Sequence, residues 1–290
     1  MNIQELNYDA KDENSLCISV SGIDAAKFLQ GQFSNDIDIL TEKSYQNSSF
    51  STNQGKVIAI FKIIKEKDSF IIVINKEISD YFIEKLSMYV LMSKVNIEVM
   101  RDIHVYGVIG EVANAFIKKN NLNLYSVMKN NDVCILNNSK DETKGLTVLS
   151  KLTGTTLQKT SHFNANHFLD IKKGMIRITM ESKEKYIPQV LNLEDLNGIS
   201  YKKGCYTGQE IVARTHYLGK IKKKLVLFSC SSINLKIEDK IFDEDKQVVG
   251  EILTSAFEND DSYLYFAVIK LDSVDRHLVS NNHRLNLITF

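Results

Sequence analysis

The sequence predicts an α+β protein: two related α+β halves over residues 1–219, split near residue 100, then a small all-β barrel or sandwich over 220–290. Three observations support this. Short β-rich runs alternate with a few amphipathic stretches through the first hundred residues. A similar order restarts at Ile103, although no residue motif recurs. Beyond Lys220 the strong runs are strand-like and no good helix remains, which places a boundary near Gly219.

The first strand is Ser15–Val20, where apolar and polar residues alternate as on a half-buried strand. Gly22 and Asp24 interrupt it, and Asp24 is a fitting N-cap for a helix Ala25–Phe33 with Ala25, Phe28, Leu29 and Phe33 on one side. Lys56–Ile64 and Ser69–Ile74 read as a hairpin about the polar turn 65–68. Glu77–Met92 is the clearest helix, with Ile78, Phe82, Leu86, Tyr89 and Val90 at helical spacing. Lys94–Met100 alternates again as a strand. The second half predicts strands at Ile103–Ile109, Asp132–Asn137 and Leu146–Ser150, and helices at Glu111–Asn121 and Phe163–Lys173. The terminal strands are Lys223–Cys230, Gln247–Thr254, Tyr263–Leu271 and Arg284–Thr289.

Composition narrows the function classes. The 290 residues are 43% hydrophobic and 25% charged, as in globular proteins with a sizeable core. Lys plus Arg equal Asp plus Glu at 36 each, which argues against a chain whose main task is to coat nucleic acid or anionic membrane. No apolar run is long enough for a spanning helix, and Met1–Lys11 is polar and acidic, unlike a signal peptide. Four cysteines without a CxxC pair are too few for a disulfide framework, so a reducing, cytoplasmic compartment is expected.

One segment stands apart: Gly198-Ile-Ser-Tyr-Lys-Lys-Gly-Cys-Tyr-Thr-Gly-Gln-Glu-Ile-Val-Ala-Arg214. Gly204 and Gly208 flank Cys205 and permit tight or positive-φ backbone there. A helix is expected from Gln209, with Ile211 and Val212 inward. Nearby lysines and that helix N-terminus favour a thiolate, which serves as nucleophile, redox centre or metal ligand. A small buried side chain in a tight turn is the equal alternative. Cys17, Cys134 and Cys230 lie in apolar strand runs and read as buried structural thiols. No partner stands at ligand spacing from Cys205, and the six histidines are scattered, so no metal site is expected.

The stretch Ile187-Pro-Gln-Val-Leu-Asn-Leu193, the run Lys203-Gly-Cys-Tyr-Thr-Gly-Gln-Glu210 and Arg214 resemble the fingerprint of the YgfZ family, folate-binding relatives of the glycine-cleavage T-protein (aminomethyltransferase). Ser21–Gln32 with Asn35-Asp36, the Asn53-Gln-Gly-Lys56 turn, Tyr89–Val95 and Ile171–Gly174 agree in order. The likeness spans nearly the whole chain and thins over 110–160 and after 225. It implies an aminomethyltransferase-like folate-binding domain closed by a C-terminal β-barrel. It further implies a tetrahydrofolate-binding accessory factor rather than an enzyme, supporting assembly or repair of iron–sulfur enzymes, tRNA-methylthiolating ones included. Tight nucleic-acid binding and membrane association are not implied.

The same resemblance makes Cys205 the residue for chemistry and assigns Lys203, Gly204 and Gly208 to the motif's backbone. A pterin takes hydrogen bonds at its amino-pyrimidine edge and aromatic cover on its faces, and its glutamate tail suits cations. Asn35, Asp36, Gln189, Tyr206, Gln209 and Glu210 are the implied contacts, with Arg214 for the tail. Two positions that hold tryptophan in some relatives are here Ser15 and Asn166, and the chain has no tryptophan. Ring cover then falls to Phe or Tyr, with Phe163, Phe168 and Tyr186 nearby in sequence. Two further readings stand beside this one: a folate-dependent one-carbon transferase using Asp36, and a thiol-transfer protein without folate.

Overall fold

In the computed structural model the described residues are 11–139, 143–151, 164–231, 235–259 and 262–288. The readings at Met1–Ala10, His162, Phe163 and Thr289 lie outside them.

The first half is a five-stranded antiparallel sheet in the order β2-β3-β4-β1-β5, formed by β1 (Ser15–Ser21), β2 (Tyr45–Ser51), β3 (Val57–Lys65), β4 (Ser69–Asn75) and β5 (Asn96–Val99). Both faces of this sheet are covered. On β4, Phe70, Ile72 and Ile74 enter one apolar cluster while Ile71 and Val73 enter another. Strand residues alternate between faces, so a doubly covered strand reads as an unbroken apolar run, as β3 and β4 do. Strand β2 follows neither pattern. Its sequence is mostly polar, yet nearly all of it is buried, because its side chains bond to other chain segments.

Helices α1 (Ala25–Gln30) and α2 (Lys76–Ser87) end sooner than their periodicity predicts. Asp24 does not cap α1; its carboxylate accepts the Lys94 amide at 2.8 Å and ties the sheet's edge turn instead. Asn75 caps α2. The second half pairs β6 (His104–Ile109), β9 (Gly145–Ser150), β8 (Val133–Asn137) and the short β7 (Val127–Lys129) in that order, with α3 (Glu111–Lys119) and α4 (Ala165–Lys172).

The C-terminal module is a barrel. Strands β10 (Lys223–Cys230), β13 (Ser262–Lys270), β12 (Val248–Asn259), β11 (Lys240–Phe242), β14 (Leu278–Ser280) and β15 (His283–Ile288) close because β10 pairs with both β13 and β15. Closure removes the open edges a sandwich would leave. The three-residue strands β11 and β14 are too short to show an alternation in sequence. On β10, Val226, Phe228 and Cys230 fill one cluster with other barrel residues, while Leu225 and Leu227 join the cluster of the first sheet. The barrel is thereby packed onto the first half by the period of its own strands.

Candidate functional site

The segment that leads into Cys205 is clipped to the first half by hydrogen bonds from polar residues of the α1–β2 loop and β2. Ser34 Oγ donates to the Gly198 carbonyl at 2.7 Å, and the Ser200 amide donates to the Ser34 carbonyl. Asn35 Nδ2 donates to the carbonyls of Asn47 and Asn197, and Asn47 Nδ2 donates to Leu196. Lys203 Nζ is buried and donates to the carbonyls of Phe33 and Asn35 at 2.7 and 2.8 Å. Burial pulls this ammonium down to about 8, against the opposing charges of Asp36 and Asp38. The Thr207 amide donates to the Gly31 carbonyl. Gly208 then opens α5 (Gln209–Leu218) in the left-handed region at φ +82°. A Cβ there would lie 2.5 Å from the Thr52 carbonyl oxygen, so the β2–β3 turn touches the motif through the space a side chain would take.

These contacts settle where each expected residue stands. Asn35 and Gln189 are buried and hold backbone: Gln189 Nε2 donates to the Val212 carbonyl at 2.6 Å and to the Tyr201 hydroxyl. Asp36 accepts from Gln30 Nε2 and from the Asp38 amide, closing its own turn. Tyr206 is buried beneath the Lys203 ammonium, 5.1 Å from the ring centre. The Tyr206 hydroxyl and Gln189 Oε1 are buried without a hydrogen-bond partner. Gln209 is partly buried at the start of α5. Glu210 and Arg214 face outward and pair with each other at 2.6 Å. Gly204 differs from Gly208: its φ is not positive and nothing lies within 4 Å of its would-be Cβ. Val212 is fully buried and Ile211 packs on Gly55.

Cys205 is exposed, whereas Cys17, Cys134 and Cys230 are buried. Lys203, the nearer of the two preceding lysines, spends its charge inward on carbonyls. Burial pushes the Cys17 thiol far up and the Cys134 thiol up to about 12. A disulfide reagent such as Ellman's should therefore titrate one thiol quickly in the folded protein. The other three should follow only on unfolding, and Cys205→Ser should remove the fast phase. Two or more fast thiols in the native protein would overturn this assignment.

Beside the clipped segment lies a cavity of about 470 Å³, lined among others by Tyr125, Asn137, Ser139, Lys173, Asp195 and Asn197. The Tyr125 hydroxyl donates to the Leu196 carbonyl at 3.1 Å, and the Lys173 ammonium is 5.1 Å from the Tyr125 ring centre. Asn35 and Asn47 hold the Leu196–Asn197 wall, so Asn35 borders this cavity through a hydrogen bond. Asn47 Oδ1 is buried there without a partner.

Sequence reasoning did not single out Ser34 or Asn47, although a polar strand beside apolar β3 was a usable signal. It also passed over Lys62, a lysine inside the apolar run of β3. Lys62 is buried and pairs with Asp170 of α4; Arg177 bridges Asp170 at 3.1 Å and Asp12 at 2.6 Å. Asn164 and Asn166 also donate to Asp12. This network joins the two halves next to the cavity through Asn138, which donates to Asp170 and accepts from Tyr45, the hydroxyl reached by Lys173. Among the described residues no three His, Cys, Asp or Glu side chains gather as a metal site, and no helix is long and apolar enough to cross a membrane.

No protein-family profile matches the chain. It is 34% identical over 232 residues to the tRNA-modifying protein YgfZ of Buchnera aphidicola subsp. Schizaphis graminum, covering 76% of this chain and 73% of that one. It is 27% identical over 271 residues to the tRNA-modifying protein YgfZ of Colwellia psychrerythraea, covering 88% and 83%. In three dimensions it resembles the glycine cleavage system aminomethyltransferase T of Bartonella henselae, with a TM-score of 0.72 over 97% of this chain and 84% of that one, at 12% identity. Fold, motif and relatives agree: this chain belongs to the YgfZ family, on an aminomethyltransferase-like fold.

Proposed function

We propose that this protein binds tetrahydrofolate or a derivative and serves as an accessory factor in the assembly or repair of iron–sulfur enzymes, including those that methylthiolate tRNA. Cys205 is the thiol it offers them, in a reducing, cytoplasmic setting. Residues 1–219 form the folate-binding part and residues 220–290 the barrel that closes on it.

One observation carries this reading. The 470 Å³ cavity shares a wall with Asn35, and Asn35 in turn holds Lys203, two residues before the exposed Cys205. Its size is that of a small-molecule site, and its lining suits a folate. The Asp195 carboxylate, 3.2 Å from the Lys224 ammonium, and the Asn197 amide match an amino-pyrimidine edge, Tyr125 offers a ring, and Lys173 and Lys144 suit an anionic tail. A bound folate would supply one-carbon or redox chemistry. The chain's own part is to seat it and transmit its presence to the Cys205 loop through Asn35 and Lys203. Of the residues implied by family resemblance, Asn35 and Gln189 act here by holding backbone. The Glu210–Arg214 pair lies on the surface, open to a glutamate tail or a protein partner. The transferase reading is disfavoured because Asp36 is committed to its own turn.

Anaerobic calorimetry with tetrahydrofolate should show saturable one-to-one binding, weakened about tenfold or more by Asp195→Asn, since losing one charged hydrogen bond costs roughly 1.5–3 kcal/mol. Cys205→Ser should leave that binding intact and abolish support of cluster enzymes in cells. No binding heat would remove folate from the reading; full cluster-enzyme activity with Cys205→Ser would remove the thiol.

A further inference from the structure

A second cavity, of about 420 Å³, opens at the β2–β3 turn. Its lining includes Phe50, Asn53, Lys56, Tyr81, Lys85 and Tyr89. The Lys85 and Lys183 ammoniums stand 5.2 and 4.9 Å from the centre of the Tyr81 ring. Lys56 Nζ donates to the Lys185 carbonyl at 3.1 Å. Two carboxylates are close. Glu184 is occupied by the Tyr81 hydroxyl at 2.6 Å, and Glu84 reaches Lys85 only at 3.9 Å. Lys183 donates to the Met180 carbonyl at 3.0 Å, whereas the Lys85 ammonium at the cavity is only weakly neutralised by Glu84, and an anion seated at the mouth pairs with it. The ring of Tyr89, whose hydroxyl donates to Asn53 Oδ1 at 3.3 Å, and the Asn53 amide N–H have no use for a bare anion. They suit a flat, hydrogen-bonding base.

We propose that this cavity binds a nucleoside phosphate, either free or as one unit of a single-stranded RNA. The base lies against Tyr89 beside Asn53, and the phosphate is held by Lys56 and Lys85. Lysine binds phosphate as a point charge, and base–aromatic stacking tolerates any base, so the site selects the chemical class more than the sequence. The position gives it meaning. The Thr52–Lys56 turn that walls the cavity touches Gly208, three residues from Cys205, a span of at most roughly 11 Å. The wall of this cavity therefore meets the motif that carries the exposed thiol. This inference does not depend on folate occupying the other cavity.

The test uses the full chain and titrates it with adenosine and uridine monophosphates, inorganic phosphate, a twelve-nucleotide oligouridylate and tetrahydrofolate. Saturable binding of the monophosphates is expected, with Lys85→Glu weakening it about tenfold and Lys56→Ala less. Both are partly exposed side chains, and an unchanged melting temperature will show that the variants fold. Tighter oligonucleotide binding that is lost in Lys85→Glu assigns the site to RNA; equal binding assigns it to free nucleotides. The proposal is overturned if the monophosphates do not bind, if inorganic phosphate binds as well as they do, or if Lys85→Glu has no effect. Competitive displacement by tetrahydrofolate would also overturn it, because the cavity would then be the folate site.

Discussion

Replacing Gly208 by alanine should destabilise the protein by about 2–5 kcal/mol, and Gly204→Ala, four residues away in the same motif, should be nearly neutral. At φ +82° a side chain at 208 pays the left-handed penalty of roughly 1–2 kcal/mol. Its Cβ would also lie 2.5 Å from the Thr52 carbonyl oxygen and 2.9 Å from Gly55 Cα. Both neighbours are backbone of a tight turn, so relief requires moving the β2–β3 turn or the start of α5. Gly204 has neither constraint. Urea unfolding of the two variants checks this, and the alkylation rate of Cys205 should rise in Gly208→Ala as its loop loosens. A Gly208→Ala protein within about 0.5 kcal/mol of the parent would refute the contact.

The buried network between the halves should give the second large effect. Lys62 and Arg177 face Asp12 and Asp170, two charges of each sign with side chains no more than 10% exposed. Asp170→Ala leaves two buried cations against one anion and should cost about 3–5 kcal/mol. Pairing it with Lys62→Met should restore part of that, because an unpaired buried charge costs more than an absent pair. Equal losses in the single and double variants would show that the charges are not the reason.

The same network sets an acid profile. Burial alone would raise the Asp12 carboxyl, but the Arg177 guanidinium, with hydrogen bonds from Ser15 and Asn166, holds it well below the usual carboxylate range. Its stabilising share is complete above pH about 4 and is lost as the pH falls further. His167 acts at higher pH. Burial, aided by Arg177, lowers its imidazole to about 4. Between pH about 6.5 and 4 the unfolded chain takes up a proton that the folded chain refuses, so stability falls by about 3 kcal/mol in that window. His167→Gln should flatten the urea midpoint between those pH values and leave the steeper loss below pH 4. An unchanged slope would place the titration elsewhere.

Local pattern sufficed where a residue's environment follows from its neighbours in sequence. Strand β1, the hairpin of β3 and β4, the start of α5 at Gln209 and the long barrel strands are legible because period-2 and period-3.6 patterns are local. The motif around Cys205 is legible because its glycines and lysines are unusual together. Strand β2 is not, since polar residues predict exposure and these are buried. Asn47 donates to the Leu196 carbonyl, 149 residues away in sequence, and the Ser48 and Ser49 hydroxyls meet Ser34, which itself reaches the Gly198 carbonyl.

The sequence by itself determined the class of fold, the terminal β module, the family and the one thiol set in a chemical motif. Only the tertiary structure decided that the module is a closed barrel and that Cys205 alone among the cysteines is exposed. It also decided that Asn35, Gln189 and Lys203 hold backbone, whereas Glu210 and Arg214 pair on the surface. The reason is physical. A polar side chain carries the same hydrogen-bonding capacity wherever it stands, and what it binds depends on which distant carbonyl or charge folding brings within about 3 Å.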